Sequence, residues 1–168
     1  MRNNYKIYDK SSLKVFASNG KWFLIDKLSH LRISSYKWTV TKKGYVISNA
    51  GYLHRLLTNC PSGLTVDHIN GDPKDNRFNN LRTCSKSDNG KNQKKQKRAS
   101  ITNYPESLYK GVSWHSQLNK WRSRIEVNGK QIYLGVFKCQ HEAAQSYNKA
   151  ALEYFGEFAR LNNIVAGG

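Results

Sequence analysis

The chain has 168 residues, and its 28 Lys and Arg against 11 Asp and Glu give a formal net charge of +17. This excess indicates a polyanionic partner, most often nucleic acid, and argues against a mimic of an acidic molecule. No apolar run approaches the roughly 20 residues of a membrane span, and the amino terminus lacks the apolar stretch of a signal peptide. Three widely spaced cysteines argue against a secreted disulfide scaffold. We therefore expect a cytoplasmic protein with reduced thiols and no membrane partner.

Residues 1–53 are expected to form a β-rich extension. The sequence KVFASNGKWFLIDK has the pattern of two strands around Asn19-Gly20, and LSHLRISSYKW that of a short helix. The next segment, WTVTKKGYVISNAGYLHRLLT, predicts a strand, a turn, a strand and a short helix. Spacing alone indicates no chemistry here, so we interpret the extension as scaffold with some lysines that face DNA.

The most informative stretch is 64–92, LTVDHINGDPKDNRFNNLRTCSKSDNGKN. It begins as a strand that ends in the Asp-His pair at 67–68, and the Asn, Gly and Pro that follow are typical of a loop. Residues 81–84 predict the return strand. Ser85, with Asp88 three residues on, has the spacing of a helix-capping box. The predicted order is therefore strand, loop, strand, helix.

Three side chains of this unit have the chemistry that metal-dependent phosphodiester cleavage requires. The Asp67 carboxylate and the Asn89 amide oxygen are hard ligands suited to Mg²⁺. His68, with an ordinary pKa of about 6.5, can take a proton from water, while a cation stabilises charge on the phosphate and the leaving oxygen. Because neighbours on a regular strand point to opposite faces, Asp67 and His68 can share a site only where the strand ends.

A spaced pattern runs through the same stretch: Asp67-His68, NGD at 70–72, DNR at 75–77, NLR at 80–82 and a closing Asn89. It resembles the HNH endonucleases, especially the homing endonucleases of phages. The resemblance implies Asp67 and Asn89 as metal ligands, His68 as general base, and Asn80 as the central Asn that holds the loop and orients His68. The chain has Asn where many members have the last His, so it reads H-N-N. Two oxygen ligands favour Mg²⁺, with Mn²⁺ as a possible substitute.

Upstream, the tripeptide His54-Arg55-Leu56 also recurs in this family, about a dozen residues before the Asp-His pair. One interpretation is that Arg55 contacts phosphate near the scissile bond. The alternative is a structural His54 and a surface Arg55, and the sequence leaves both open.

Residues 86–98, KSDNGKNQKKQKR, carry six bases and one acid without a large apolar residue. Together with ASITNYPES they predict the exposed end of a helix followed by a basic, polar linker, with the main domain boundary near residues 95–108. Such a linker would follow the phosphate backbone and supply salt-sensitive affinity. Its expected contacts to DNA are made by Lys91, Lys94, Lys95, Lys97 and Arg98.

Residues 109–139 predict three strands, the last two joined by Asn128-Gly129, the strongest short hairpin signal. In the second strand Trp121 alternates with arginines, so it should lie on the opposite face of the sheet from them, the face on which the following helix packs. Residues 141–155 predict a helix with one apolar stripe. We assign to that stripe Ala143, Ala144, Tyr147, Ala150, Ala151 and Tyr154.

Within 107–162 the motifs YKGV, WRSRI, LGVF, EAA and ARLN are similar to the apetala-two/ethylene-response-factor domain. The resemblance implies a three-stranded sheet in the major groove of DNA with the helix packed behind it. The alternative is that Arg122 and Arg124 only solubilise an exposed sheet face. The residues expected to face the duplex are Lys110, Ser113, His115, Arg122, Arg124 and Tyr133.

We therefore expect an α+β protein with a ββα-metal (HNH) nuclease unit and a small three-stranded antiparallel sheet packed on one helix. The expected domains are an N-terminal extension at 1–53, the nuclease unit at 54–95, a linker at 96–107 and a DNA-binding domain at 108–163. The expected function is hydrolysis of double-stranded DNA to 5′-phosphate and 3′-hydroxyl ends by a monomer that nicks one strand, in a bacterial cytoplasm if a phage encodes it. The main alternative is a non-catalytic, sequence-specific DNA-binding regulator, and a third is an RNA-binding protein.

Overall fold

The computed structural model describes residues 4–93, 95 and 104–164. The chain divides into two compact units, one up to Gly90 and one from Lys91. Three residues expected to contact DNA lie outside the described residues, namely Lys94, Lys97 and Arg98. Within the described part of the chain, the helices are too short or too polar to cross a membrane.

The first unit begins with an antiparallel sheet of three strands, β1 (Tyr5–Ile7), β2 (Ser12–Phe16) and β3 (Trp22–Asp26), in that order. The predicted pair of strands around Asn19-Gly20 is confirmed as β2 and β3. Alternate side chains of this pair are fully buried, as expected of a sheet with one face on the core. The short first strand was not predicted from the sequence.

A short helix, α1 (His30–Ile33), follows a 3₁₀ turn and leads into a second small sheet. This sheet contains β4 (Thr39–Val40), β5 (Val46–Ser48) and β6 (Gly51–Tyr52). The helix α2 (Leu53–Thr58) begins directly after β6. The predicted order of short helix, strand, turn, strand and short helix is confirmed, with β6 as an additional strand.

The hairpin of β7 (Thr65–His68) and β8 (Leu81–Cys84) is antiparallel, and the helix α3 (Lys86–Lys91) follows it. The connecting loop ends in a 3₁₀ turn immediately before β8. Ser85 caps α3, because its Oγ accepts a hydrogen bond from the Asp88 backbone N–H at 3.0 Å and donates to the Asp88 carboxylate at 2.7 Å. The chain thus runs strand, loop, strand, helix through this region.

One hydrophobic core lies beneath these elements, and it takes side chains from every part of the first unit between Leu13 and Leu81. Trp38 is its largest fully buried member, and its indole Nε1–H donates to the carbonyl oxygen of Ile33 at 3.0 Å. The core therefore contains residues on both sides of position 53, where the sequence suggested a domain boundary. That division stays a prediction.

The second unit is a three-stranded antiparallel sheet in the order β11, β10, β9, with one long helix. Its elements are β9 (Val112–His115), β10 (Lys120–Val127), β11 (Lys130–Phe137) and α4 (Gln140–Phe155). The turn between β10 and β11 has φ of 50° at Asn128 and 76° at Gly129, the left-handed pair that a type I′ hairpin requires. The predicted hairpin and helix are confirmed.

The helix packs on one face of this sheet through small and aromatic side chains. Ile125 of β10 and Tyr147 of α4 share one buried cluster, and Trp121 packs against a second cluster on the same side, as its alternation predicted. The prediction for Tyr154 is wrong, since that side chain is 43% exposed and Phe155 is the buried residue of the last helical turn. Helical periodicity gives the buried stripe but does not show how the end of the helix meets the sheet.

Candidate functional site

The predicted Asp-His pair lies at the end of β7, and both side chains are buried, Asp67 at 4% and His68 at 6% exposure. In the ladder Asp67 is opposite Arg82, whereas His68, the last residue of the strand, is opposite Leu81. Arg82 donates from Nε at 2.9 Å and from Nη2 at 2.7 Å to the same oxygen, Oδ2 of Asp67. This buried ion pair compensates for the burial of the carboxylate.

The imidazole of His68 is held beside the connecting loop. Its Nε2 lies 3.4 Å from Oδ1 of Asn76, a residue with no exposed surface. Burial lowers the pKa of His68, although the hydrogen bond to Asn76 and the negative charges of Asp67, Asp72 and Asp75 act in the opposite direction. The ring is therefore neutral at neutral pH, the form that can accept a proton.

The loop between β7 and β8 is tied together by Asn80. The Asn80 Oδ1 accepts from the backbone N–H of Asn70 at 2.9 Å, and its Nδ2 donates to Oδ1 of Asn70 and to the carbonyl oxygen of Asp75. A further bond from the Ile69 N–H to the Asn80 carbonyl closes the loop at its base. Asn80 thus has the contacts expected of a residue that holds this loop, and its effect on catalysis stays a prediction.

A second ion pair stiffens the same loop. Arg77 donates from Nε to Oδ1 of Asp75 at 2.8 Å and from Nη2 to Oδ2 at 2.7 Å. Burial tends to raise the pKa of Asp75, but the hydrogen bonds and charge of Arg77 outweigh it and the pKa is lowered. Asp75, Asn76 and Arg77 formed part of the sequence pattern, yet the sequence assigned none of them a role.

His54 of α2 lies against His68, a contact that sequence reasoning missed although the recurring tripeptide pointed to this residue. The two ring centroids are 5.2 Å apart and the ring planes are 83° from parallel. Tyr52 stacks on His54 at 5.4 Å, and Tyr45 contacts both histidines. Burial first, and then the charges of His68 and Arg55, lower the pKa of His54 to about 4.

Arg55 extends its guanidinium to the segment that leads into β7. Nη1 donates to the carbonyl oxygen of Leu64 at 2.8 Å, and Nη2 donates to those of Cys60 and Pro61 at 3.2 and 3.1 Å. These contacts support a structural role for Arg55. Its predicted contact with phosphate stays a prediction.

The donors expected to hold a metal ion are the buried Asp67 carboxylate and the half-buried amide of Asn89 on α3. In the described residues, no group of three or more His, Cys, Asp and Glu side chains could hold a metal ion. A divalent cation held by Asp67 and Asn89 would need further oxygens from water or phosphate, and such a donor set suits Mg²⁺. Because Arg82 donates to Oδ2 of Asp67, the cation and the guanidinium would share this carboxylate.

Four of the residues expected to face DNA lie together on the sheet of the second unit. Arg122 is opposite Ser113 across one ladder, and Arg124 is opposite Tyr133 across the other. They alternate with the buried Ser123 and so lie on the face away from α4. Tyr133 is 59% exposed, which makes it the most accessible of the group.

His115 also lies on this face, because it is two residues after Ser113 in β9 and opposite Lys120, which is two residues before Arg122 in β10. The remaining expected contacts lie elsewhere. The ammonium group of Lys110 donates to the carbonyl oxygen of Lys91 at 2.7 Å, and burial together with the charge of Arg160 lowers its pKa. Lys95 donates to the carbonyl oxygen of Ser107. The structure therefore does not bring these lysines onto the sheet face, and their binding to DNA stays a prediction.

Comparisons with known proteins cover the candidate site and most of the rest of the chain. A family model described as HNH endonuclease matches residues 58–91, the segment that contains β7, β8 and α3. An uncharacterized HNH endonuclease of Acanthamoeba polyphaga mimivirus is 31% identical over 158 residues, which cover 89% of this chain and 74% of that protein. The chain belongs to the HNH endonuclease family. The endonuclease predicted from the sequence pattern is thus confirmed at the level of the family.

Shorter matches relate part of the endonuclease to plant proteins. An AP2-like ethylene-responsive transcription factor of Arabidopsis thaliana is 39% identical over 59 residues, which are 35% of this chain and 12% of that protein. Another from Oryza sativa subsp. japonica is 46% identical over 58 residues, which are 33% of this chain and 9% of that protein. The endonuclease thus shares one segment with these factors and spans about a tenth of their length.

Proposed function

We propose that the endonuclease hydrolyses a phosphodiester bond of double-stranded DNA at the end of the β7–β8 hairpin, in a ββα-metal unit of the H-N-N type. The observation that carries the proposal is the burial of His68 beside Asp67, at the point where the strand ends and the loop begins. Asp67 is close enough to raise the pKa of His68 against the effect of burial. Two groups with the required chemistry therefore share one end of the hairpin.

His68 is the proposed general base. A neutral imidazole has one N–H and one lone pair. When Nε2 donates to Oδ1 of Asn76, the lone pair is on Nδ1, so Nδ1 is the nitrogen that takes the proton from the attacking water. Asn80 keeps this geometry by tying the loop to the base of the hairpin.

Asp67 and Asn89 are the proposed ligands of a divalent cation, Mg²⁺ with Mn²⁺ as a substitute. When bound, the cation supplies positive charge to the phosphate and to the leaving 3′ oxygen, which gives 5′-phosphate and 3′-hydroxyl ends. Arg82 keeps the Asp67 carboxylate oriented, because its two donors fix one carboxylate oxygen. One such site in the described part of the chain favours a monomer that nicks one strand.

The second unit is the proposed reader of DNA sequence. Its exposed sheet face carries two arginines, a serine and a tyrosine that can reach base edges and phosphates in the major groove. Similarity to plant transcription factors supports this assignment. The basic linker would add contacts to the phosphate backbone through Lys91 and Lys95 and through the lysines and arginine that follow them in the sequence.

A plasmid assay tests the proposal. Supercoiled DNA incubated with the full chain and Mg²⁺ should be converted to the relaxed form, whereas a regulator would shift the DNA without relaxing it. His68→Ala should abolish relaxation with DNA affinity nearly unchanged, and His141→Ala, a half-buried histidine of the second unit, is the matched control. Retained cleavage by His68→Ala, or an equal loss of binding and cleavage, would contradict the role of His68.

A further inference from the structure

Four rings form a continuous cluster around the proposed base: Tyr45, Tyr52, His54 and His68, which we call the ring cluster. His54 is its centre, with contacts to the other three at centroid distances of 5.8, 5.4 and 5.2 Å. Tyr45 also meets His68 at 6.3 Å, so two rings border the imidazole of the base. Tyr45 and Tyr52 are partly exposed, whereas the two histidines are buried.

The contacts of His54 with its neighbours in the ring cluster are ring contacts. Within the described part of the chain, its buried Nδ1 has no hydrogen-bond partner. A buried polar atom without a partner does not stabilise a fold, so a hydrogen bond at Nδ1 does not explain a histidine here. What the side chain does provide is a flat ring whose plane is nearly perpendicular to that of His68.

The hydrogen bond between His68 and Asn76 is long. At 3.4 Å it lies beyond the usual range for N–H···O contacts, so this one bond restrains the ring weakly. An imidazole that pivots about its side-chain torsion would move its proton-accepting nitrogen away from the attacking water. Packing of His54 and Tyr45 against the ring blocks that rotation.

We propose that His54 is a positioning residue, which fixes the orientation of the His68 imidazole by packing its own ring against it. The inference rests on the proposed role of His68 as general base. This role also gives each residue of the tripeptide at 54–56 a contact of its own, since successive residues of a helix point in different directions. His54 contacts the base, Arg55 ties the segment that leads into β7, and Leu56 packs on the core.

Three variants of the full chain distinguish a role of the flat His54 ring from a role of its nitrogens. His54→Phe keeps a flat ring without nitrogens, His54→Leu keeps a similar volume without a flat ring, and His54→Ala removes both. We expect kcat within about threefold of wild type for His54→Phe and about 10- to 100-fold lower for the other two, since small displacements of a catalytic group have effects of this size. KM and DNA affinity should change little in all three.

A readout that does not depend on activity is the NMR spectrum of the His68 ring in the metal-free protein. Nuclear Overhauser contacts from the His68 ring protons to the Asn76 side chain should persist in His54→Phe and weaken in His54→Leu, because the imidazole can then turn away from Asn76. Leu57→Ala controls for loss of stability, since it opens a cavity in the core from the same helix and should leave kcat unchanged well below the unfolding temperature.

The inference is overturned if His54→Leu cleaves with the kcat of wild type, if its His68 contacts to Asn76 persist, or if His54→Phe is as slow as His54→Ala. The last result would assign the role to a nitrogen. Failure of the proposed function gives a different result, because wild type would then not relax the plasmid, or His68→Ala would still cleave it, whatever the His54 variants do.

Discussion

Burial of His54 makes the stability of the first unit depend on pH in a direction that can be worked out. Its pKa falls from the ordinary value of 6.5 to about 4 in the folded chain, first because of burial and then because of the charges of His68 and Arg55. Between these two pH values the unfolded chain binds a proton that the folded chain does not. Stability therefore falls as the pH is lowered through this window, and the loss is complete below pH 4.

The magnitude follows from the two pKa values. Each unit of pKa difference corresponds to about 1.4 kcal/mol, so the single group should destabilise the fold by about 2 kcal/mol at pH 5 and about 3 kcal/mol at pH 4, relative to pH 7. His54→Phe has no such proton to bind. Between pH 7 and pH 4, the unfolding free energy of wild type should therefore fall by about 3 kcal/mol more than that of His54→Phe.

The assay is urea unfolding of the metal-free full chain at several pH values, followed through the indole N–H resonance of Trp38. This group is fully buried and bonded to the Ile33 carbonyl, so it reports on the first unit. His68, whose pKa is also lowered, is present in both wild type and His54→Phe. Its own contribution to the pH dependence therefore cancels when the two unfolding free energies are subtracted. Leu57→Ala should lower stability equally at every pH. If His54→Phe loses as much stability as wild type, the burial argument for His54 is refuted.

Further substitutions test the local structure. Asn80→Ala removes three hydrogen bonds from the loop. Urea unfolding should show that the unfolding free energy of the first unit falls by about 2–4 kcal/mol. A loss under about 1 kcal/mol would contradict the role of Asn80 in holding the loop. Gly111 has a φ of 77°, and Gly111→Ala would place a methyl group 2.0 Å from the Tyr147 ring. Thermal unfolding of the second unit should therefore show a loss of about 3 kcal/mol or more in stability. A neutral result would refute this packing. Ser85→Ala should cost about 1 kcal/mol and increase amide exchange in the first turn of α3, whereas unchanged exchange would argue against the cap.

Elements with strong local signals could be predicted from the sequence. The Asn128-Gly129 turn and the Ser85 cap each depend on residues within three positions of one another, and both are present in the structure. That Asn80 holds the loop was implied by the resemblance to HNH endonucleases, and its side-chain contacts agree with this. In the turn and the cap the controlling interaction lies within a few residues, so the local sequence contains it.

Contacts between distant parts of the chain could not be predicted in the same way. The packing of His54 on His68 joins a helix to a strand, and the pairing of Arg82 with Asp67 depends on the register of the β7–β8 hairpin. A one-residue change of register would have placed Arg82 on the other face. The sequence showed that these residue types were present but not which of them would meet.

The extension before residue 54, interpreted from the sequence as scaffold with some lysines that face DNA, contacts the loop of the candidate site. The backbone of Leu24 in β3 accepts from the N–H of Asn76 at 2.9 Å and donates to the carbonyl oxygen of Lys74 at 2.8 Å, across about fifty residues of sequence. The carboxylate of Asp26 accepts from the N–H of Phe78 at 2.7 Å, near the other end of the loop. Because Asn76 is a hydrogen-bond partner of His68, the edge of β3 holds the loop that contacts the proposed base. The geometry of the candidate site therefore depends on the first sheet as well as on the segment that the family model matches.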